Sequence, residues 1–439
     1  MSRAPQQGED RPAMLDLIRE LYPICRSITG DGVRETFDIL GDSLPLDTHE
    51  VPTGTSVFDW NVPKEWNVRE AYIETMAGER VLDFSDHNLH LLNYSRPTDT
   101  TIGRAELDAH LHSMPEHPDW IPYRTSYYTE DWGFCLTQRQ RDTLREPRYK
   151  VKIDTELKVG SLSYAECWVP GRSKREVLLF THVCHPSLCN DNLSGIAVLS
   201  KLGQLLLEQP SRRFSYRLVF APGTIGSITW LSKNQSNLPR IEHGLVLGLL
   251  GDDAPHTFKK TRSGKAEVDR IASYVLRQRS DRNRILDFSP YGYDERQFGS
   301  PGINLPVGRL TRSVNGGYPQ YHSSADNLDI VSEQRLQESV DVAMEILDSL
   351  EENRYYQNLE PYCEPQLGKR GMYRATGGTQ LAERETAMLW LLNQADGETS
   401  LLDIAEKSGL SLHALATVAD ELKTASLIAE TAESQREAP

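Results

Sequence analysis

The residues best suited to metal chemistry lie in the segment 181–195, which reads THVCHPSLCNDNLSG. His185 precedes Pro186, which ends an extended run, and Asp191 follows at the entrance to a predicted helix. An imidazole nitrogen and a carboxylate oxygen are both ligands that zinc accepts in proteins. The spacing therefore predicts a metal site. The alternative is a hydrogen-bonded loop histidine followed by an aspartate that caps the helix.

Three other residues of this segment are weaker ligand candidates. His182 competes with His185, but strand alternation places it on the same face as Cys184 and away from the His185 side. We therefore expect a structural role for His182. Cys184 and Cys189 can bind metal, yet small apolar packing residues are the simpler interpretation.

Two distant segments offer further ligands. His322 lies in the polar, turn-rich segment YPQYHSSADNL before a predicted helix, and a closed zinc site requires such a ligand from another loop. Asp252 and Asp253 end the apolar segment GLLGDD. Carboxylates are costly to bury unless paired or metal-bound, so either one is a plausible ligand. The alternative is that both are exposed loop residues.

The elements that must position these residues follow a strand–helix–strand rhythm. Glu176–His182 is a nearly continuous apolar run, as expected for a strand buried on both faces, and Ile196–Glu208 is an amphipathic helix. Tyr216–Ala221, Ile225–Leu231 and His243–Leu250 repeat the alternation. The pattern predicts an α/β fold with a mostly parallel central sheet, in which ligands bind at the carboxyl ends of the strands.

Changes in sequence texture divide the chain into three predicted domains. Residues 1–45 and 156–365 form the core, and the aromatic, proline-rich stretch 46–155 predicts an inserted β-rich domain. Residues 366–439 predict a winged-helix-like domain. Its three short helices are expected at Thr386–Asn393, Leu401–Ser408 and Leu412–Leu422.

Charge and composition exclude several classes of partner. The net charge of −15 disfavours non-specific binding to nucleic acid or to an anionic membrane. Residues 385–439 contain ten acidic and three basic side chains, so the C-terminal domain is expected to dock protein or support structure rather than to read DNA.

No apolar run approaches the roughly 20 residues of a membrane span, and the first residues lack the apolar region of a secretory signal. The six cysteines form no disulfide framework, which favours a cytoplasmic location. A homo-oligomer is compatible with the sequence, but no motif establishes one.

Six long segments of the chain match a known family. They are PICRSITGDGVRET, FDWNVPKEWNVREAYI, IPYRTSYYTEDWGFCL, THVCHPSLCNDNLSG, YGYDERQFGSPGINLPVG and YHSSADNLD. They resemble the bacterial DUF4910/DUF2172 proteins, an aminopeptidase-like branch related to the M28 zinc peptidases. The resemblance implies an M28-like core, an inserted β domain, a C-terminal winged helix, and one or two zinc ions per chain. It also implies that His185 and Asp252 are ligands, Asp191 a possible bridging carboxylate, and His322 the closing histidine.

One departure from the family bears on catalysis. Family members tend to read PETIGS where this chain reads PGTIGS, with Gly223 in place of the glutamate. By analogy with the M28 peptidases that glutamate is the general base, whose loss typically costs about 10²–10⁴ in rate. Glu295, Asp253 or a substrate carboxylate are the expected stand-ins.

Substrate binding is expected to involve Arg26, Arg124 and Arg296, which lie in motif-rich loops, and Tyr321. Arginines hold carboxylates through bidentate hydrogen bonds. The alternative is that they tie the insert to the core by ion pairs. The leading hypothesis is a zinc-dependent hydrolase that cleaves an amide bond in a small peptide or aminoacyl conjugate. The runner-up is a non-hydrolytic member that binds a metal and a small ligand, or assists acyl transfer in a biosynthetic pathway.

Overall fold

The computed structural model describes residues 13–209, 212–372 and 383–431. The chain divides into two compact units, residues 1–343 and 344–439. The first holds a large mixed sheet with helices and a smaller β-rich insert. The second is a small helical module with its own sheet.

The helices begin and end close to where apolar periodicity predicts them. In α1 the buried Met14, Ile18 and Leu21 recur at the helical spacing. The α-helices are, in chain order, α1 (Met14–Leu21), α2 (Asp31–Gly41), α3 (Arg104–Leu107), α4 (Gln138–Thr143), α5 (Ser194–Glu208), α6 (Ile225–Lys233), α7 (Glu267–Arg279), α8 (Glu295–Phe298), α9 (Glu333–Glu352), α10 (Glu383–Gln394), α11 (Leu401–Ser408) and α12 (Leu412–Thr424).

In the described part of the chain, the strands form a large sheet, a four-stranded sheet, a three-stranded sheet and two short ribbons. They are β1 (Leu46–Pro52), β2 (Ser56–Val57), β3 (Trp60–Asn61), β4 (Glu65–Thr75), β5 (Arg80–Asp83), β6 (Thr98–Gly103), β7 (Leu111–His112), β8 (Phe134–Cys135), β9 (Arg148–Lys158), β10 (Ser161–Val169), β11 (Glu176–His182), β12 (Ser215–Ala221), β13 (Ile241–Leu247), β14 (Thr257–Lys259), β15 (Arg284–Leu286), β16 (Val307–Thr311), β17 (Tyr355–Asn358), β18 (Asp396–Ser400) and β19 (Ile428–Glu430).

The large sheet has eight strands in the order β1-β10-β12-β11-β13-β16-β14-β15. Its four central strands, β12, β11, β13 and β16, run parallel, and antiparallel strands flank them. Every residue of β11 is buried, because neighbouring strands cover its edges and packed elements cover its faces. The prediction of an α/β fold with a mostly parallel central sheet is confirmed.

The insert is built around the long antiparallel pair β4–β9, with β5 and β6 at the edges of the sheet. Alternate residues of β9, such as Tyr149, Val151 and Ile153, face its core. β1 lies inside the stretch 46–155 that the sequence assigns to the insert, yet it pairs with β10 in the large sheet.

The C-terminal unit contains the three predicted helices as α10, α11 and α12. Ser400 begins α11 with a capping box, in which its hydroxyl accepts from the Asp403 amide. Its sheet has the order β18-β17-β19, so β17, which precedes residue 366, belongs to this unit's sheet. Among the described residues, no helix is both long and apolar enough to cross a lipid bilayer.

Candidate metal centre

The candidate site forms at the carboxyl end of β11, the central parallel strand. β11 ends at His182, a short loop carries His185, and a distorted turn, Cys189–Leu193, carries Asp191 into the start of α5. All residues from Glu176 to Ser200 are buried. The segment therefore fixes these side chains inside the protein at the edge of the sheet where α/β proteins bind ligands.

Three histidines converge on the Asp191 carboxylate. His182 Nε2 lies 3.0 Å from Asp191 Oδ1, and His322 Nε2 lies 3.1 Å from Asp191 Oδ2. His185 Nε2 is 4.0 Å from the same Oδ2. One ligand atom each of His182, His185 and Asp191 lies within 4.8 Å of the others, close enough to bind one metal ion together. The predicted convergence of His185, Asp191 and His322 is thus present.

The charges of these groups suit a cation. Burial lowers the pKa of His185 to about 3 and also lowers the pKa of His182, so both imidazoles are neutral near pH 7. Burial opposes ionisation of Asp191, but its interactions with His185, His182 and His322 outweigh it and hold its pKa well below the usual value. Neutral imidazoles with an ionised carboxylate are the protonation states that bind a divalent metal.

The prediction that His182 points away from the His185 side is wrong. The two imidazole rings lie 5.0 Å apart, and both approach Asp191. Strand alternation fails as a guide because β11 ends at His182, so the loop that follows has no pleat. On its other side, His182 Nδ1 lies 4.0 Å from Asp294 Oδ2, a buried oxygen that has no hydrogen-bond partner among the described residues. Burial raises the pKa of Asp294 to about 8.

Two buried charged residues orient the segment that carries the ligands. Asp326 accepts hydrogen bonds from the amides of Asn190 (2.6 Å) and Asp191 (3.0 Å) and from the Tyr318 hydroxyl. Arg26 is fully buried, and its Nε donates to the His185 carbonyl at 3.0 Å. Sequence reasoning assigned Arg26 to the substrate, but the structure places its guanidinium against the backbone of a ligand loop.

The other two predicted arginines and Tyr321 differ in their surroundings. Arg124 and Arg296 are exposed. Tyr321 is half-buried and stacks on His322, with ring centroids 4.0 Å apart. The structure therefore places the Tyr321 ring against a histidine side chain of the site, whereas the Arg26 guanidinium contacts the backbone of His185.

The acidic residues Asp252 and Asp253 lie outside the histidine cluster. Asp252 is buried, and its oxygens accept from Asn190 Nδ2 at 2.7 Å and from the Ala254 amide. The Asp253 side chain is 88% exposed and pairs with Arg335. These contacts give Asp252 a link to the ligand loop through Asn190, whereas they leave Asp253 on the surface.

Glu295, the other expected stand-in base, is a buried ion-pair partner. Its Oε1 lies 2.7 Å from Lys259 Nζ, and its Oε2 lies 3.7 Å from an Arg309 nitrogen. Burial opposes its ionisation, but Arg309 and Lys259 outweigh that effect and lower the pKa of Glu295. A carboxylate held by two cations is a poor proton acceptor, so the structure does not support this role.

Two tyrosines that sequence reasoning missed border the cluster. The Tyr123 ring lies 5.2 Å from that of His185 and 5.1 Å from that of His322. Tyr293 lies 4.4 Å from the His182 ring, and its hydroxyl donates to the Gly223 carbonyl at 3.1 Å. The signal was available, because both residues lie in segments that carry the family resemblance, IPYRTSYY and YGYDERQ.

Comparison with known proteins places the chain in a family. A family model described as "Domain of unknown function (DUF4910)" matches residues 15–353, and one described as "winged helix-turn-helix" matches residues 354–430. A Clostridium acetobutylicum protein, whose name joins polysaccharide biosynthesis with an aminopeptidase-like domain, is 49% identical over 414 residues, 94% of this chain and 95% of that protein.

Solved structures agree on the fold. The crystal structure of a Clostridium acetobutylicum protein named as a peptidase has a TM-score of 0.89 at 48% identity, covering 95% of this chain and 96% of the other. A zinc aminopeptidase from Bacillus subtilis has a TM-score of 0.57 at 13% identity over 77% of this chain and 94% of its own. An M28 peptidase precursor from Shewanella amazonensis has a TM-score of 0.52 at 13% identity, covering 76% and 91%. The predicted M28-like core and C-terminal winged helix are confirmed.

Proposed function

The chain belongs to the DUF4910 family, and from that premise we propose that it is a zinc-dependent hydrolase that cleaves an amide bond in a small peptide or aminoacyl conjugate. Its relatives are aminopeptidase-like proteins and its fold is that of the M28 peptidases. One observation carries the proposal. His182, His185 and His322 meet the Asp191 carboxylate at the end of a buried strand, with the His182 and His185 imidazoles neutral and the carboxylate ionised.

The donor set of nitrogen and carboxylate oxygen atoms fits zinc. His182, His185 and Asp191 would hold the ion, and His322, whose Nε2 faces the other carboxylate oxygen of Asp191, would be a further ligand. A second zinc ion per chain would share these same residues. Bound zinc supplies a Lewis acid for the amide carbonyl and lowers the pKa of water.

The protein groups around the ligands hold the ligand segment and its side chains in place rather than accept protons. Arg26 and Asp326 fix the backbone of the ligand segment from opposite ends. The rings of Tyr123 and Tyr321 pack against His322, whose side chain is 35% exposed. Burial raises the pKa of Tyr293 well above its usual value, so its hydroxyl stays protonated and donates its proton in a hydrogen bond to the Gly223 carbonyl.

Metal content is the first test. We expect the purified chain to contain one or two zinc ions, and His182→Ala and His185→Ala variants to lose them. His256→Ala is the matched control, because His256 is equally buried but bonds Ser339 elsewhere in the fold. Zinc-loaded protein is then assayed on aminoacyl and dipeptide amides. Wild-type protein that takes up no zinc, or variants that retain it fully, would refute the site.

A specific observation favours a second candidate, a non-hydrolytic member that binds a metal and a small ligand or assists acyl transfer in a biosynthetic pathway. The Tyr293 ring occupies the space beside Gly223, where the family tends to place a glutamate. The Clostridium relative is named for polysaccharide biosynthesis. Zinc-loaded protein that binds an aminoacyl conjugate without hydrolysing it, over a range of pH, would favour this candidate.

Nucleic acid and membranes are not proposed as partners. The C-terminal unit is acidic, and a DNA-reading surface is normally basic. A DNA-retention assay at low salt tests this point, since electrostatic binding is strongest there. Retention of the chain would contradict it. A cytoplasmic location and a homo-oligomeric state remain proposals that rest on the sequence alone.

A further inference from the structure

Outside the histidine cluster, Trp60 and Tyr128 form an exposed aromatic pair. Trp60 is 44% exposed on the hairpin β2–β3, and Tyr128 is 57% exposed in a loop of the insert. Their ring centroids lie 5.2 Å apart at an interplanar angle of 59°. Large aromatic side chains that are exposed to solvent and contact each other are typical of a ligand-binding surface.

The pair is connected to the candidate metal centre through two further tyrosines. The Tyr128 ring lies 6.3 Å from that of Tyr127, and the Tyr127 and Tyr123 hydroxyls are 2.5 Å apart. Tyr123 in turn contacts the His185 ring. A chain of ring contacts therefore connects Trp60 and Tyr128 to the histidines.

The surroundings of the pair indicate what kind of group it accepts. Asp59 and Asn61 flank Trp60 and are exposed, and Glu130 near Tyr128 lies 3.2 Å from Lys64 Nζ. An aliphatic or aromatic side chain on this open platform would keep one face in water and gain little. A pyranose ring has a C–H face that packs on aromatic rings and a rim of hydroxyls that hydrogen-bond to polar groups.

We propose that Trp60 and Tyr128 form a subsite for a pyranose ring, so that the conjugate cleaved at the metal centre carries a sugar. The inference rests on the proposed function, because the sugar is the non-reacting part of that substrate. Binding energy from such a remote group positions the reacting bond at the metal.

The test measures sugar binding by the full-length chain after metal removal, so it does not depend on hydrolysis. Saturation-transfer NMR titrations use the methyl glycoside of N-acetylglucosamine, with N-acetylphenylalanine amide as the aromatic comparison. We expect transfer to the sugar and at least fivefold weaker binding in Trp60→Ala and Tyr128→Ala. Trp168→Ala is the matched control, because Trp168 is 40% exposed on β10 and stacks with Arg217.

Both test residues are about half-exposed, so their removal leaves the buried core in place, and near-ultraviolet circular dichroism checks the fold. No binding of the glycoside, equal loss in Trp168→Ala, unchanged binding in the two test variants, or tighter binding of the phenylalanine amide would each overturn the subsite. Zinc-dependent hydrolysis without sugar binding would overturn the subsite and leave the hydrolase proposal standing. Sugar binding by a chain that takes up no zinc would support the subsite and overturn the hydrolase proposal.

Discussion

A Cβ atom added to Gly223 would lie 2.1 Å from Cε1 of Tyr293 and 2.8 Å from its hydroxyl oxygen. The two residues are complementary, because the missing side chain of one makes room for the ring of the other. Tyr293 also donates to the Gly223 carbonyl and contacts Cys184 Sγ at 3.4 Å. Glycine at position 223 therefore does more than remove an acidic side chain, because the Tyr293 ring fills the space that such a side chain would occupy.

This fit predicts how a glutamate at position 223 behaves. Gly223→Glu should destabilise the fold by about 1–3 kcal/mol, because the new side chain is forced against Tyr293. Combining it with Tyr293→Ala should recover part of that loss and raise amide hydrolysis, by up to about the 10²–10⁴ that a general base contributes. Urea denaturation and amide turnover by the zinc-loaded variants measure the two effects.

Gly302→Glu is the control, because nothing lies within 4 Å of a Cβ added there. Its free energy of unfolding should remain near that of the wild type. If Gly223→Glu is as stable as Gly302→Glu, or if Tyr293→Ala adds no recovery, the proposed complementarity is absent.

Arg26 should act on metal affinity rather than on substrate recognition. Arg26→Met removes the side-chain donor to the buried His185 carbonyl, at a cost of about 1–3 kcal/mol. The Leu21 carbonyl also loses its bond from Arg26 but keeps the one from the Ile24 amide. Loosening the His185 loop should weaken zinc binding by about 10–100-fold, as is typical for groups that orient ligands. Competition with a chromophoric chelator measures the affinity.

The exposed Arg296→Met variant should keep its zinc affinity. Unchanged zinc affinity of Arg26→Met, together with a raised KM for acidic substrates alone, would instead support the expectation that Arg26 binds the substrate.

Glu295 should contribute to stability and not serve as the catalytic base. Glu295→Gln leaves Lys259 and Arg309 without their shared buried counter-charge, and breaking such a buried pair costs about 3–5 kcal/mol. Urea denaturation should detect the loss. Asp287→Asn, which removes an exposed partner of Lys260, should change the free energy of unfolding little. Normal stability with loss of the acidic limb of the pH–rate profile would instead identify Glu295 as a base.

His243 should make stability depend on pH. Burial, reinforced by Arg213 and Arg175, lowers the pKa of His243 from 6.5 to about 3. Between these values the unfolded chain binds a proton that the native state does not, so the free energy of unfolding falls as pH decreases. This one group contributes about 1.4 kcal/mol per pH unit across that window.

His243→Leu removes that group from both states. The difference between the variant's and the wild type's slope of unfolding free energy against pH, measured from about pH 6 to pH 4, should correspond to one proton. Parallel curves for the two proteins would show that His243 is protonated equally in both states.

The local elements of this chain could be predicted because they depend on neighbours in sequence. The apolar run 176–182 is the strand β11 at the predicted bounds, and the helical spacing in Leu401–Ser408 likewise appears as α11. Each pattern reports the side-chain period of one element and whether its faces are buried. The ligand loop could also be located, because Asp191 follows His185 within one segment between a strand and a helix.

What the tertiary structure decided is the pairing of groups far apart in the chain. Gly223 meets Tyr293, and Glu295 meets Lys259, only because the sheet brings their strands and loops together. The direction of His182 depended on where β11 stops, which alternation along the sequence does not reveal. The sequence alone determined which residue types could bind metal. Only folding determined whether each one faces the cluster, a counter-charge or water, because burial and charge pairing are properties of the assembled neighbours.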